Sequence, residues 1–316
     1  MLQPDLNKLH FKQCALCAST SELQASHIIP GFVFDWLRDT SATGHFRSSQ
    51  IPNRRLQDGL KPRMLCKSCE QLFSTWEKAF AEACFVPLNN GNAGDVRYGP
   101  WMLKFATSVS WRVLRIFTAN DGLAGFPEHI VNEVDDTLRE WSLFLLGDRP
   151  HPGRHEQHMF FADVIEHASI VDAPPNISRY LARAIDPYVA YTRDSAITYA
   201  KMGRFVLFGL VSIKYPRRWK GTKLHVQRGQ FGQRDIELPS DIGDFIFGRA
   251  RLAAEKYSQI SEQQITRIKK SYEKDPDRAA QSESLRAMQH DVSMFGRSAF
   301  EATQPNTRPR SNKDET

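Results

Sequence analysis

Two cysteine pairs near the beginning of the chain limit what it can fold into more than any other feature. They are Cys14 with Cys17 and Cys66 with Cys69, and 48 residues separate the pairs. Each Cys-x2-Cys pair places two thiolates on one tight turn, and two such turns make the closed tetrahedral site that is typical of structural Zn²⁺. We therefore predict that these four cysteines bind one zinc ion. An iron–sulfur cluster on the same ligands is the alternative.

The cysteines also indicate a compartment. The chain begins without a basic region followed by an apolar stretch, so no secretory signal is predicted. Cysteine pairs without such a signal favour metal binding over disulfides, as expected in a reducing cytoplasm. The sequence has no apolar run long enough to span a bilayer, so we expect no membrane partner. The fifth cysteine, Cys84, shares a helical spacing with Phe80 and is predicted to lie in the core.

The composition is that of a globular protein. Of 316 residues, 41% are hydrophobic and 25% are charged, which excludes a wholly disordered, collagen-like or coiled-coil chain. The length fits about two domains. Lys and Arg number 42 against 36 Asp and Glu, and this net charge of +6 permits a polyanionic partner without requiring one.

Hydrophobic periodicity divides the chain after the cysteines. A segment dense in turn-forming residues, 87–95, marks a boundary near residue 90. Two β-rich runs, 196–200 and 204–213, predict a hairpin with its turn at Lys201–Gly203. Apolar residues that recur at intervals of three and four predict helices over 101–117, 130–145, 178–190 and 241–274.

The residues around the cysteines resemble a known family. His27 lies in Ser-His-Ile-Ile-Pro between the two pairs, and Glu70 directly follows the last cysteine at the start of a predicted helix. Over about residues 11–80, this arrangement resembles the zinc-stapled HNH endonucleases, which have a ββα-metal fold. The resemblance implies that His27 is the general base that activates water. It also implies that Glu70 binds a catalytic Mg²⁺ or Mn²⁺ and that the reaction is hydrolysis of phosphodiester bonds.

Two positions depart from the family pattern. Ser26 stands where the family has an acidic metal ligand, and Lys61 stands where it has an asparagine that orients the base. Replacements for these groups could come from elsewhere in the module, from Asn53, Asp58 or Glu77. The departures favour an alternative: a non-catalytic zinc-binding module, for nucleic acid or protein, with degenerate nuclease residues. Under that alternative His27 is a core histidine, and Glu70 is an acid favoured by the helix N-terminus.

One segment concentrates positive charge. Residues 201–235 hold nine Lys and Arg residues and a single acid, Asp235. Aromatic and cationic residues alternate there, which suits phosphate neutralisation and base stacking. We predict a nucleic-acid partner, with DNA favoured over RNA, contacted through Arg217, Arg218, Trp219, Lys220 and Lys223. A solvated loop is the alternative. A second cluster, His151, His155 and His158, is interpreted as an exposed polar turn, with a metal site as its alternative.

These patterns together predict an α+β fold. Residues 1–90 form the zinc-bound, HNH-like ββα-type module, as the resemblance implies. Residues 91–290 form a mostly helical domain with a β-hairpin or small antiparallel sheet, which includes the basic segment 201–235. Residues 291–316 are polar toward the end and predict a mostly disordered tail.

Overall fold

The computed structural model describes residues 9–47, 52–92, 94–119, 122–164, 172–213, 218–232 and 235–301. The chain divides into two compact units, and each unit is assembled from three segments. The first unit comprises Met1–Asp35, Asp58–Ala162 and Ala184–Ser240, and the second comprises Trp36–Gln57, Asp163–Arg183 and Asp241–Thr316. The predicted boundary near residue 90 therefore lies inside the first unit.

The elements are short strands and helices of mixed length. The strands are β1 Leu23–Ala25, β2 Phe46–Arg47, β3 Arg55–Leu56, β4 Arg63–Cys66, β5 Val96–Tyr98, β6 Gln157–Phe161, β7 Ile185–Tyr191, β8 Ala196–Met202, β9 Phe205–Ser212 and β10 Gly229–Phe231. The helices are α1 Gly31–Asp39, α2 Lys67–Phe80, α3 Val86–Asn89, α4 Trp101–Thr118, α5 Glu128–Leu146, α6 Ile177–Arg183, α7 Ser240–Tyr257, α8 Glu262–Lys274, α9 Pro276–Ala280, α10 Glu283–Phe295 and α11 Ser298–Glu301. Mixed helices and small antiparallel sheets confirm the α+β class.

The cysteine-bearing part of the first unit is built on a strand pair and a helix. Strands β1 and β4 are antiparallel, and α2 begins directly after β4. The apolar residues of α2 recur at three and four, so Phe73, Trp76 and Phe80 share one buried face. That face packs against α4, where the ring of Phe80 stacks on Phe105 with centroids 3.9 Å apart. A π-helical turn, Ala81–Phe85, joins α2 to α3 and contains the fully buried Cys84.

The core of the first unit continues into an antiparallel sheet of order β6-β9-β8-β7. The predicted hairpin is confirmed as β8 and β9, and its turn contains Gly203 with a φ of +61°. Helix α4 lies close to this sheet: a Cβ added at Gly209 would come within 2.9 Å of the Cβ of Ser110. Glycine at position 209 therefore permits the contact between helix and sheet.

Two sequence predictions about this sheet are wrong. The helix predicted over 178–190 ends at Arg183, and the next residues form β7, whose place at the sheet edge accommodates Pro187. The histidine cluster is not an exposed turn, because His155 and His158 are 2% and 1% exposed and His158 lies in β6. Among the described residues, these histidines do not form a metal-ligand group.

The second unit is mostly helical. Asp291 of α10 is fully buried and accepts hydrogen bonds from the backbone N–H groups of Ser178 and Arg179, which lie in the first turn of α6. The tail predicted from residue 291 is instead helical as far as Glu301, and residues 302–316 lie outside the described part of the chain. Among the helices described, none is both long and apolar enough to cross a bilayer.

Candidate functional site

The four paired cysteines converge as predicted. The Sγ atoms of Cys14, Cys17, Cys66 and Cys69 all lie within 4.8 Å of one another. The Cys17 and Cys66 sulfurs are 3.7 Å apart, close to the ~3.8 Å edge of a tetrahedron with Zn–S bonds of ~2.3 Å. This separation is too long for a disulfide bond, which needs ~2.05 Å. The cluster is therefore compatible with a structural metal ion such as zinc.

Local backbone geometry brings the two pairs together. The N–H of Ala18 donates to the carbonyl of Cys14, and Ala18 has a φ of +58°, which turns the chain sharply after Cys17. The N–H of Ala15 donates to the carbonyl of Met64, so the first turn is fixed to β4. Cys66 is the N-cap of α2 and Cys69 lies in its first turn, where the helix dipole favours thiolates.

The thiols of the cluster differ in acidity. Burial raises the pKa of Cys69, and its neighbouring thiols raise it further. Burial acts in the same direction on Cys66, but the hydroxyl of Ser68 and the N–H of Cys69 outweigh it and lower the pKa to about 6. Four adjacent thiolates repel one another, so a divalent cation is the partner that would allow all four to ionise together.

His27 and Asp58, which both lie between the two cysteine pairs in the sequence, are hydrogen-bonded to each other. His27 follows β1, and its Nε2 lies 2.7 Å from Oδ1 of Asp58. Burial would raise the pKa of Asp58, but hydrogen bonds from Lys61, from His27 and from the N–H of Gly59 outweigh it and hold the pKa at about 2. Asp58 is therefore ionised at neutral pH and can only accept hydrogen bonds. It follows that Nε2 of His27 carries a proton, and that the lone pair of the neutral ring is on Nδ1.

The imidazole is held on several sides. Its ring stacks on Phe34 with centroids 6.0 Å apart. A Cβ at Gly31 would lie 3.1 Å from Cε1 and 3.4 Å from Nδ1, so glycine at the start of α1 keeps a side chain away from this edge of the ring. The buried guanidinium of Arg112, on α4, donates to the backbone carbonyl of His27 at 2.6 Å. The ring is thus fixed in orientation while a quarter of the side chain, 25%, stays exposed.

The guanidinium of Arg112 has a second partner. Its Nη2 lies 2.6 Å from Oε1 of Glu77 in an ion pair whose angles are not those of a hydrogen bond. Glu77, one of the possible substitute carboxylates, is therefore engaged in holding the turn that carries His27. Asn53 is engaged as well, because it accepts from the N–H of Ser261 at 2.7 Å. Asp58 is the substitute that contacts His27, and Lys61 binds the other oxygen of Asp58.

Glu70 contacts the residue next to His27. The hydroxyl of Ser26, which is fully buried, donates to Oε2 of Glu70 at 2.5 Å. The two positions that the family resemblance assigns to metal ligands are therefore in direct contact. The pair consists of one carboxylate and one hydroxyl, and among the described residues only the four cysteines form a metal-ligand group of three or more Cys, His, Asp or Glu.

Only some of the described residues in the basic segment 201–235 are exposed to solvent. Arg217 lies outside the described residues, and Arg218 is exposed. Trp219 is only 6% exposed and packs against His158 and Phe208. A ring enclosed in this way cannot stack on a base, so the stacking role predicted for Trp219 is corrected to a core role. Two further cations that contribute to the charge of the segment, Lys201 and Arg204, are buried.

The other predicted cations are paired with acids. Lys220 forms an ion pair with Glu237, and Lys223 forms one with Glu156. Lys223 also lines a cavity of about 720 Å³ beside the β5–β10 pair. We call this cavity the basic groove, because its lining includes three cations, Arg97, Lys223 and Arg228, together with His225.

The floor of the basic groove contains Tyr98. Its hydroxyl accepts from the N–H of His225 at 3.1 Å. A Cβ at Gly229 would lie 2.2 Å from that hydroxyl, so only glycine fits opposite the ring. Arg97 could not be identified from the charge run alone, because it lies more than 100 residues before that run and the sheet register brings it opposite Gln230.

Comparison of this chain with models of protein families, with curated proteins and with solved structures finds no match. The chemistry of the cysteine cluster, the His27–Asp58 pair and the basic groove is therefore what indicates a function.

Proposed function

We propose that this chain is a metal-dependent, HNH-like endonuclease that hydrolyses phosphodiester bonds in nucleic acid, with DNA favoured over RNA. The observation that carries the proposal is the hydrogen bond between His27 and Asp58, which leaves Nδ1 of a fixed imidazole to act as a base. The pairing of β1 with β4, directly followed by α2, supports it, because this arrangement has His27 after the first strand and Glu70 in the first turn of the helix.

In the proposed reaction, Nδ1 of His27 takes a proton from a water molecule as the water oxygen attacks phosphorus. The bond from phosphorus to the leaving oxygen breaks, and that oxygen later takes a proton from solvent. Asp58 keeps Nε2 protonated and stabilises the imidazolium that forms, as a carboxylate does in other histidine-based sites. Lys61 and the N–H of Gly59 hold Asp58 in place. The four cysteines bind a structural zinc ion that fixes β4 and α2.

Glu70 and Ser26 are the residues that would hold the catalytic Mg²⁺ or Mn²⁺. Both offer oxygen donors, which hard cations prefer, so the residues fit the ion in kind. When bound, the cation supplies charge stabilisation at the leaving oxygen. The hydroxyl of Ser26 fixes the orientation of the Glu70 carboxylate.

The basic groove is the proposed contact for the nucleic-acid backbone in the first unit. Its cations come from β5 and from the segment before β10, and together they suit a chain of phosphates. The ion pair of Lys223 with Glu156 does not prevent this role, since Lys223 is 46% exposed and such pairs are weak.

A specific observation favours a second function. The Ser26–Glu70 pair offers one carboxylate and one hydroxyl. Among the described residues, it is not part of a group of three or more Cys, His, Asp or Glu side chains that could hold a metal ion. A site of this kind binds a divalent cation more weakly than a site with two carboxylates. The second candidate is therefore a non-catalytic zinc-binding module that binds nucleic acid or protein.

Nicking of supercoiled plasmid in Mg²⁺ or Mn²⁺ separates the two functions. We expect His27→Ala and Asp58→Asn each to lower the rate of nicking by about 10²-fold or more. His27→Ala removes the base. Asp58→Asn removes the carboxylate that keeps the proton of His27 on Nε2. His151→Ala, which removes an exposed histidine of the same unit, is the matched control and should cut at the wild-type rate.

Zinc content and melting temperature should be unchanged in all three variants. If the zinc-loaded wild type binds nucleic acid but cuts neither DNA nor RNA in either metal ion, the non-catalytic function replaces the nuclease.

The basic groove is tested by the salt dependence of binding. Arg97→Gln and Arg228→Gln should each reduce the slope of log affinity against log salt by about 0.9 for duplex DNA. Arg139→Gln removes an exposed arginine that is paired with Asp136 on α5, and it serves as the control. Slopes equal to that of wild type in both groove variants, measured by fluorescence anisotropy, would remove the groove from the interface.

A further inference from the structure

Three arginines of the second unit converge without a counter-charge. Strands β2 and β3 are antiparallel, and their register places Arg47 directly opposite Arg55. Side chains that face each other in this way lie on the same side of the strand pair, and like charges there repel. The guanidinium of Arg55 reaches α8, where it donates to the backbone carbonyl of Arg267 at 3.4 Å. We call Arg47, Arg55 and Arg267 the arginine cluster.

Neutral oxygen atoms satisfy part of this cluster. Arg47 donates to the carbonyl of Pro52 and to Oε1 of the buried Gln264, both at 3.1 Å. Among the described residues, neither Arg47, Arg55 nor Arg267 forms an ion pair with a carboxylate. Burial lowers the pKa of Arg47, and the positive charges of Arg55 and Arg267 lower it further. The charge of the cluster is therefore compensated by nothing that the described chain provides.

The positive surface continues along α8. Residues three and four apart on a helix share a face, so Arg267 is followed on one face by Lys270 and then by Lys274. Arg267 and Lys274 are seven helical steps apart, so this row extends along about 10 Å of helix. A row of separated cations fits a polymer with regularly spaced charges better than it fits a single phosphate group, for which converging donors are needed.

We propose that the arginine cluster and the adjoining face of α8 bind the phosphate backbone of a nucleic acid, as a second contact surface carried by the second unit. The proposal rests on the proposed function for the identity of the polymer. Arg47 and Arg55 lie in the part of the chain between His27 and β4. The proposal gives this part of the chain a role in holding the substrate. Phosphate groups would supply the negative charge that the described residues do not provide to the arginine cluster.

The test is anisotropy of a labelled duplex without added Mg²⁺ or Mn²⁺, so that cutting does not affect binding. The double variant Arg55→Gln/Arg267→Gln should reduce the log–log salt slope by about 1.8, which corresponds to two phosphate contacts. Lys269→Gln makes the same kind of change on α8, two residues from Arg267 and on another face, and should leave the slope unchanged. The melting temperature of the double variant at low salt should be no lower than that of wild type, because repulsion is relieved.

The outcomes separate this inference from the proposed function. Wild type that binds, with an unchanged slope in the double variant, overturns the arginine cluster as a phosphate site and leaves the nuclease proposal intact. Wild type that binds through the cluster but never cuts overturns the nuclease and supports the cluster. Wild type that binds neither duplex nor single strands overturns both.

Discussion

At the residue scale, the free nitrogen of His27 faces the start of α1. Gly31→Ala would place a methyl group 3.4 Å from Nδ1 and 3.1 Å from Cε1, which requires the ring to shift by a few tenths of an ångström. A base displaced in this way should lower kcat by about tenfold or more, because proton transfer depends on hydrogen-bond geometry. The fold should be spared, since alanine favours helices.

Kinetics of plasmid nicking together with circular dichroism check this expectation. Gly243→Ala makes the same change in a helix where nothing lies within 4 Å of the added Cβ, so it should leave kcat unchanged. A Gly31→Ala variant with the wild-type kcat would show that Nδ1 is not the reacting atom.

The sequence predicts part of this site. The spacing of the cysteines predicted their convergence, because thiolate pairs on tight turns have one common use. The sequence named Asp58 only as one of three possible replacement groups, and its contact with His27 could not be predicted, since this depends on how the loop before β4 folds back and on the contacts with Lys61 and Gly59. Lys61, at the position where the family has an asparagine, contacts the carboxylate of Asp58, which in turn contacts His27.

At the element scale, the metal should hold the strand pair and α2 together. Cys66→Ser removes a ligand that is also the N-cap of α2. We expect loss of zinc and unfolding of β1, β4 and α2, because binding free energy at such sites is folding free energy, on the order of 10 kcal/mol. Metal analysis and thermal melts measure both effects.

Cys84→Ser is the matched control for that change. Cys84 is also fully buried, but it lies outside the cluster. This variant should melt earlier, because it buries a hydroxyl, while it retains one zinc ion per chain. Equal zinc content in Cys66→Ser and Cys84→Ser would refute the assignment of the site.

The sheet of the first unit should respond to acid. Burial lowers the pKa of His158, while the neighbouring Glu156 acts to raise it and Lys223 to lower it. A histidine whose folded pKa is depressed binds fewer protons than in the unfolded chain, so its contribution to stability is present above about pH 6.5 and is lost as pH falls below that value. The urea midpoint should therefore drop between pH 7.5 and pH 5.5.

His158→Gln should flatten this pH dependence, even if the variant is less stable at both values. Acid also weakens metal binding, so the difference between variant and wild type is the quantity to compare. Identical pH slopes in the two proteins would show that His158 titrates normally. The sequence did not indicate this element, because strand β6 follows a run of Pro, Gly, Arg and His that looks like an exposed turn.

At the scale of the whole molecule, the two units alternate along the chain. Periodicity indicates helices and strands locally, but it carries no information on which segments pack together. The predicted division at residue 90 followed a cluster of turn-forming residues, whereas in the structure α2 packs against α4 and α4 packs against the sheet. Residues 36–57, which lie between the two cysteine pairs in the sequence, belong to the second unit rather than to the unit that contains the cysteines.

Because the first unit consists of three segments of the chain, its parts are synthesised at different times on the ribosome. All four cysteines of the cluster have been translated once Cys69 is added, but the hairpin at the centre of the sheet is completed only with Ser212. At elongation rates of about 5–20 residues per second, this delay is roughly 7 to 29 s. During that interval the apolar side of α4 has no sheet to cover it, so we expect chaperones to bind the nascent chain there.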